Sequence, residues 1–472
     1  MADPSRPAIT FDDTLSDADS LMLALESDPV LRSTILSTWV LDRTPDLARF
    51  ERKLERALQV IPRLRQRIVH DPLGLANPRW ERDPDFDLRF HLRRSRLGGD
   101  GSVRDLLDHA APIAMQAFDM DRPLWELHLV EGLEGGRCAA IMKLHHAISD
   151  GVGLVKMTGC LIERGPEDEE LPPLPAESAS DVAPPSAWER IGEALSRRVR
   201  SRVEGFGAVG ATLAREAGQA LRDPAGRVRQ ARDTLASVAR VLSPASEPMS
   251  PLWRDRSTRV HFDYLPVSLE ELKRAGRTQG GSVNDAFVAA VGGGLARYHA
   301  SHGAPVEALR MLMPVNVRAG ERADHAGNQF APARFEVPVG IADPARRIRA
   351  VRHASRVQRD EPALPLVEPI SSALGRLPSQ AVVGLFGAMQ RTTDFTTSNV
   401  PGPRRATWMS GARVEAFMPF GPLAGAAVNV TVFSYDGIMH VGINSDPAAI
   451  PDPELLLECL RKSFDEVLSV IR

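Results

Sequence analysis

The chain has 472 residues, of which 43% are hydrophobic and 25% charged, and its formal net charge is −3. These values exclude a disordered chain and argue against nucleic acid as a partner, since that calls for clustered excess positive charge. The length predicts two or three domains of ordinary size, with ample material for a buried tunnel.

In chain order, the opening third reads as mixed α/β. Thr44-Pro45 caps a predicted helix with Leu47, Phe50, Leu54 and Leu58 at helical spacing. Residues 124–131 and 138–145 predict a β-hairpin around Glu134-Gly135-Gly136-Arg137, and a helix is expected from Gly153. Residues 166–185 are dense in proline and carry only acidic charges, which marks an exposed linker. The domain reading is therefore 1–164, a linker with basic amphipathic helices over 165–250, and 251–472. Within that linker Ile191, Leu195, Val199 and Val203 lie beside Arg197, Arg198, Arg200 and Arg202. Such a stripe fits a solvated face packed on the protein or a helix lying on anionic lipid. Residues 260–267 predict a strand, Ser268 and Glu271 open a helix, and another helix starts near Ser282. A second hairpin follows around Tyr435-Asp436-Gly437, then a helix from about Asp452. Both halves thus close with strand, tight turn, strand and helix.

The most informative motif is His145-His146-Ala147-Ile148-Ser149-Asp150-Gly151, at the far end of the first hairpin. An imidazole there can deprotonate a hydroxyl near neutral pH. Consecutive strand residues point to opposite faces, so the two rings cannot both work in one cavity; spacing does not say which one does. A lone buried histidine such as His128 reads as a core residue. Metal binding is disfavoured, because paired histidine ligands on a helix sit at i and i+4 and no such pair surrounds residue 145. Cys138, Cys160 and Cys459 are scattered without CxxC spacing, which indicates neither a disulfide framework nor a zinc site and fits a reducing cytoplasm. Ser149 lacks the setting of an activated nucleophile, and Cys138 lies about 26 Å from His146 along an extended strand at about 3.3 Å per residue. Asp150 suits turn capping or a salt bridge. Ser282 and Asp285 suit helix capping, while Asn284 suits either the same helix end or donation to a developing oxyanion. The polar start Met1-Ala2-Asp3-Pro4 is unlike a signal peptide, and no run reaches the about 18 apolar residues of a membrane span.

Taken together, Arg122-Pro123-Leu124-Trp125-Glu126, HHxxxDG, Asn284-Asp285, Pro314-Val315-Asn316-Val317-Arg318 and Ser398-Asn399-Val400-Pro401-Gly402-Pro403 resemble the bacterial wax ester synthase/diacylglycerol acyltransferase family, in order and separation across most of the chain. Leu15-Ser16-Asp17-Ala18-Asp19 and the closing hairpin resemble it too. The chain departs at residues 28–32, which lack a Met-His-x-Gly type segment, and at Asn316, where the family commonly has Ser. The resemblance implies an α/β (α+β) fold of two chloramphenicol acetyltransferase-like domains with mixed sheets, joined by a helical linker, with an active-site tunnel between them. It implies direct acyl transfer from acyl-CoA to a long-chain fatty alcohol or diacylglycerol, with no covalent acyl-enzyme, no metal and no cofactor besides the acyl-CoA substrate. On this resemblance His146 is the general base, His145 its support, Asp150 structural, and Asn284 a helper from the other domain. Gly151, Asp285, Pro123, Leu124, Trp125, Ser398, Asn399 and Pro401 are motif positions that shape the site. The setting it implies is cytoplasmic, peripheral on the inner membrane face or on lipid droplets. Two alternatives share parts of the pattern: a condensation-type acyltransferase fed by a carrier protein, and a non-catalytic lipid-binding homologue. The Asn-Asp and Ser398–Pro403 segments favour the CoA-dependent reading over the first, and retention of His146, Asp150 and Gly151 speaks against the second.

Overall fold

The computed structural model describes residues 11–71, 77–148, 158–167, 247–316, 330–359 and 379–471. The linker and its basic helices, Ser149, Asp150 and Gly151, the helix expected from Gly153, Val317 and Arg318 lie outside the described residues.

The first part of the chain builds α1 (Asp17–Leu25), β1 (Thr34–Leu41), α2 (Leu47–Val60), β2 (Gln66–Val69), β3 (Arg79–Arg82), α3 (Leu88–His91), β4 (Leu92–Arg96), α4 (Val103–Met115), β5 (Trp125–Glu131) and β6 (Cys138–His145). The second builds β7 (His261–Ser268), α5 (Leu269–Thr278), α6 (Val283–Ser301), β8 (Ala308–Asn316), β9 (Phe330–Pro338), α7 (Pro344–Arg359), α8 (Ser379–Arg391), β10 (Phe395–Pro401), β11 (Trp408–Met409), β12 (Ala412–Phe420), β13 (Val428–Tyr435), β14 (Ile438–Ser445) and α9 (Pro453–Ser469). Local chemistry explains the helix starts. Ser16 caps α1 by accepting from the Asp19 amide at 3.0 Å, and Ser102 with Asp105 and Ser282 with Asp285 form reciprocal capping boxes on α4 and α6. The cap of α2 is Asp46 rather than Thr44-Pro45; its carboxylate reaches the Arg49 amide at 3.0 Å. Pro45 stands just outside the helix, so the better-placed carboxylate takes the cap.

Two six-stranded mixed sheets result, in the orders β11-β12-β1-β6-β5-β4 and β7-β14-β13-β10-β8-β9. The first contains a strand from the far end of the chain: β12 pairs antiparallel with β1, Leu36 opposite Phe420. It then turns at Gly421 toward the second sheet. There β14 crosses so closely that a Cβ at Gly442 would collide with the Pro419 carbonyl. The first sheet has apolar cores on both faces. One runs through Phe50, Leu54, Trp125, Leu127 and Leu144; the other runs through Leu36, Leu106, Ile141 and Phe420 beneath α4. In the second half α6 is the buried hub, packed with Phe287, Val291 and Leu295 against β13, β14 and α9. Among the described residues no helix is long and apolar enough to cross a membrane.

Candidate active site

Both sides of β6 converge on its last residues. Leu144 lies opposite Trp125 on β5, and His145 opposite Thr34 on β1. The His145 amide donates to the Leu124 carbonyl and the His146 amide to the Ser33 carbonyl, each at 3.0 Å. The chain then folds back, the Ile148 amide reaching the His145 carbonyl at 3.0 Å. Pro123-Leu124-Trp125 thus has a physical part in the site. Leu124 supplies the last rung, and Trp125 is fully buried, its indole N–H donating to the Leu64 carbonyl at 2.8 Å and its ring stacked on His91.

The two histidines differ sharply. His145 has no exposed surface; its Nδ1 accepts from the Ala147 amide at 3.1 Å, and its Nε2 lies 3.1 Å from Glu26 Oε1. Phe118 meets the ring edge-on, 6.0 Å between centroids. His146 lies in the turn and is only partly buried. Glu26, at the end of α1, also accepts from the Ser33 amide at 2.6 Å. Burial by itself would raise the Glu26 carboxyl, but His145, the Ser33 amide and Arg32 together hold it below the usual carboxylate range. Sequence reasoning missed Glu26. The available signal was an acid at the C-terminal end of a helix with no basic residue in its last turn, the unfavourable end of the helix dipole.

Behind this turn lies a second polar group. Lys143, with no exposed surface, sits 3.3 Å from Glu126, and its ammonium stacks 4.4 Å from the centre of Phe118. Burial lowers the Lys143 ammonium and Glu126 opposes that shift. His128 is buried, as expected of a core residue, but it is not alone: its Nε2 lies 3.0 Å from Glu126, which Arg93 also approaches at 3.4 Å.

The second half contributes the start of α6 and the end of β10. Asp285 is spent on the cap, accepting from the Ser282 amide at 2.7 Å. Asn284 is half-buried; its Nδ2 lies 3.6 Å from Met313 Sδ, and its Oδ1 accepts from Asn399 Nδ2 at 3.4 Å. Ser398, Asn399 and Pro401 lie on β10, which runs parallel to β13. The sequence motifs therefore meet in two groups, Pro123 to Trp125 with the histidine turn, and Asn284 with Asn399.

Nucleophilic alternatives are poorly equipped. Burial pushes the Cys138 thiol up to about 11. A Ser–His contact does exist, Ser250 Oγ to His299 Nε2 at 2.7 Å, but both residues are buried and Oγ also accepts from the Leu252 and Trp253 amides. Among the described residues no three His, Cys, Asp or Glu side chains gather to hold a metal.

The model of the wax ester synthase/diacylglycerol acyltransferase catalytic domain matches residues 15–287, and that of the family's C-terminal domain matches residues 326–467. A Mycobacterium tuberculosis H37Rv protein named as a candidate diacylglycerol O-acyltransferase is 37% identical over 461 residues, covering 97% of this chain and 92% of that protein. The wax ester synthase/diacylglycerol acyltransferase from Marinobacter aquaeolei VT8 has a similar fold, with TM-score 0.61, 21% identity, and coverage of 96% of this chain and 98% of that one. The first condensation domain of the CDA synthetase shares the fold to the same TM-score of 0.61 at 18% identity, covering 97% and 96%. With two family models spanning most of its length, the chain belongs to the wax ester synthase/diacylglycerol acyltransferase family and is an acyltransferase.

Proposed function

We propose that the protein transfers an acyl group from acyl-CoA to the hydroxyl of a long-chain fatty alcohol or diacylglycerol, with His146 as general base. The observation that carries this reading is the contrast within the histidine pair. His145 is sealed, with both ring nitrogens facing protein groups, whereas His146 in the adjoining turn retains exposed surface.

In the proposed reaction the alcohol gives its proton to a ring nitrogen of His146 as its oxygen attacks the thioester carbonyl. The C–S bond of the tetrahedral oxyanion then breaks, and the imidazolium proton goes to the leaving CoA sulfur. General base catalysis of this kind contributes about a hundred- to ten-thousandfold. Asn284, polar and half-buried at the start of α6, is the donor proposed for the oxyanion. Asp150 is assigned a structural part in the turn. Water competes with the alcohol for the thioester, so excluding water from the site matters as much as the base. The lipid acceptor also implies work at a membrane or droplet surface, approached peripherally.

Purified protein is incubated with palmitoyl-CoA and either hexadecanol or diacylglycerol, and both thiol release and lipid product are measured. Ester formation with one acceptor, lost in His146→Ala, is the expected result. No ester with either acceptor, or full activity in the variant, refutes the reading. Activity only with an acylated carrier protein transfers the assignment to the condensation-type alternative, whose fold the chain shares.

A further inference from the structure

Glu26 is placed where a carboxylate is costly: at the end of α1, against the negative pole of the helix, with its side chain only 11% exposed. Two polar contacts repay that cost, the Ser33 amide and the His145 ring, and both belong to the histidine site. We propose that Glu26 is the positioning residue of the catalytic turn, holding His145 in one tautomer and, through Ser33 and Ala147, fixing where His146 is presented. This rests on the reading of His146 as the base.

The contacts form a closed circuit. Glu26 Oε1 accepts from the Ser33 amide at 2.6 Å, and the Ser33 carbonyl accepts from the His146 amide at 3.0 Å. On the other side the Ala147 amide donates to His145 Nδ1 at 3.1 Å. A neutral imidazole whose Nδ1 accepts carries its proton on Nε2, and that nitrogen faces the same Glu26 oxygen at 3.1 Å. The amides on either side of the His146 Cα are thus tied, through one residue each, to a single carboxylate oxygen. Were the His145 ring to take the other tautomer, Nδ1–H would oppose the Ala147 N–H, and Nε2 would face the carboxylate as an acceptor. Both contacts would turn repulsive. The titratable groups that face Glu26 are the His145 ring and the Arg32 guanidinium; Lys143 stands two residues back along β6, beside Glu126 and the face of Phe118.

Because both contacts use one oxygen, the design separates shape from charge. Gln at this position can still accept from both donors through its carbonyl oxygen, whereas Ala accepts from neither and Asp is one methylene too short. A displaced catalytic group about 1 Å out of place costs on the order of a hundredfold. The expected pattern in the full-length protein is therefore a kcat about a hundredfold lower in Glu26→Ala, about tenfold or more lower in Glu26→Asp, and within about threefold of wild type in Glu26→Gln, with KM for palmitoyl-CoA within about twofold throughout. Protein labelled with ¹⁵N-histidine gives the direct readout. The His145 signals, identified by their absence in His145→Gln, should report the Nε2–H tautomer in wild type and Glu26→Gln and a mixture in Glu26→Asp. Wild-type kcat in Glu26→Asp, or no recovery in Glu26→Gln, overturns the proposal even if Glu26→Ala fails to fold. His146→Ala is run alongside. Full activity there sinks the base reading itself, whereas a collapse there beside an active Glu26→Asp sinks only the positioning of the turn.

Discussion

The hairpins β5–β6 and β13–β14 are built alike and finish differently. Each is a tight antiparallel pair whose second strand runs through a buried core, the second turning at Asp436 and Gly437, both with positive φ. At the end of β6 stand His145 and His146, with ring nitrogens, a carboxylate and main-chain amides in one network. At the end of β14 stand Asn444, Ser445 and Asp446. Asn444 Nδ2 donates to the Gly421 carbonyl at 2.9 Å, and Asp446 accepts from Ser257 Oγ at 2.5 Å. One end carries two imidazoles tied to a carboxylate and main-chain amides; the other carries amides and an acid that bolt the β12 crossover and the chain entering β7. On the proposed reading, two equivalent positions in the fold are divided between chemistry and fastening.

The largest effect should follow from removing the proposed base. His146→Ala is expected to lower kcat about a hundred- to ten-thousandfold while leaving the melting temperature unchanged, read by thiol release and by calorimetry on the same sample. A loss of activity matched by a loss of folded protein would remove the distinction between the two ends.

The hairpins were legible in the sequence because their signals are local: alternating side chains, Gly-Gly and Asp-Gly turns, and spans that fall within a residue of Trp125–Glu131 and Cys138–His145. Strand alternation separated the two histidines in the sequence, but the structure separates them another way: β6 ends at His145 and His146 falls in the turn. Pairing of β12 with β1 was not, since nothing near Leu36 encodes Phe420. Glu26 was missed for the same reason: its partner His145 lies on a strand built far downstream, and only the odd placement of an acid at a helix C-terminus hinted at it. The Asp46 cap was mislocated because Thr44-Pro45 and Asp46 offer the same chemistry within two residues, and only the observed helix start separates them.

The second hairpin has its own histidine, and pH should expose how it differs. His440 on β14 is 3% exposed, with the Tyr264 hydroxyl 2.6 Å from Nδ1, and burial drives its pKa down to about 4. In the unfolded chain the ring titrates near its ordinary value of about 6.5. The unfolded state therefore binds the proton first, and stability is lost as pH falls from about 6.5 toward 4. Full titration of His440 costs about 3 kcal/mol. His91 and His299, lowered by burial as well, add to the slope in the same direction. Urea unfolding at pH 7 and pH 5 should show the fall in wild type and a shallower one in His440→Gln. Equal slopes would mean that this ring is not held neutral.

At the fastening end, Asn444→Ala should cost about 1–3 kcal/mol, since it leaves the buried Gly421 carbonyl without the Asn444 donor. Activity per folded molecule should persist. A specific loss of kcat at full stability would show that this end is not merely a bolt.

The smallest effect tests the most deceptive pair in the molecule. Ser250 and His299 satisfy the distance of a nucleophile and its base at 2.7 Å, closer than any contact His145 makes. Their surroundings say otherwise. His299 Nδ1 is 2.8 Å from the Leu295 carbonyl one turn back on α6, so Nε2 is the acceptor and the Ser250 hydroxyl the donor; the same oxygen then takes the Leu252 and Trp253 amides. Every lone pair and proton of that oxygen is committed, and neither residue reaches solvent. Ser250→Ala should therefore cost about 1–2 kcal/mol, the range for losing a capping hydroxyl, and leave kcat where it was. A selective collapse of kcat with an acylated serine detected by mass spectrometry would move the chemistry to this half of the molecule. What distinguishes the proposed base from the Ser250–His299 pair is not the length of a hydrogen bond but access: His146 keeps exposed surface that a substrate hydroxyl can approach, and His299 has none.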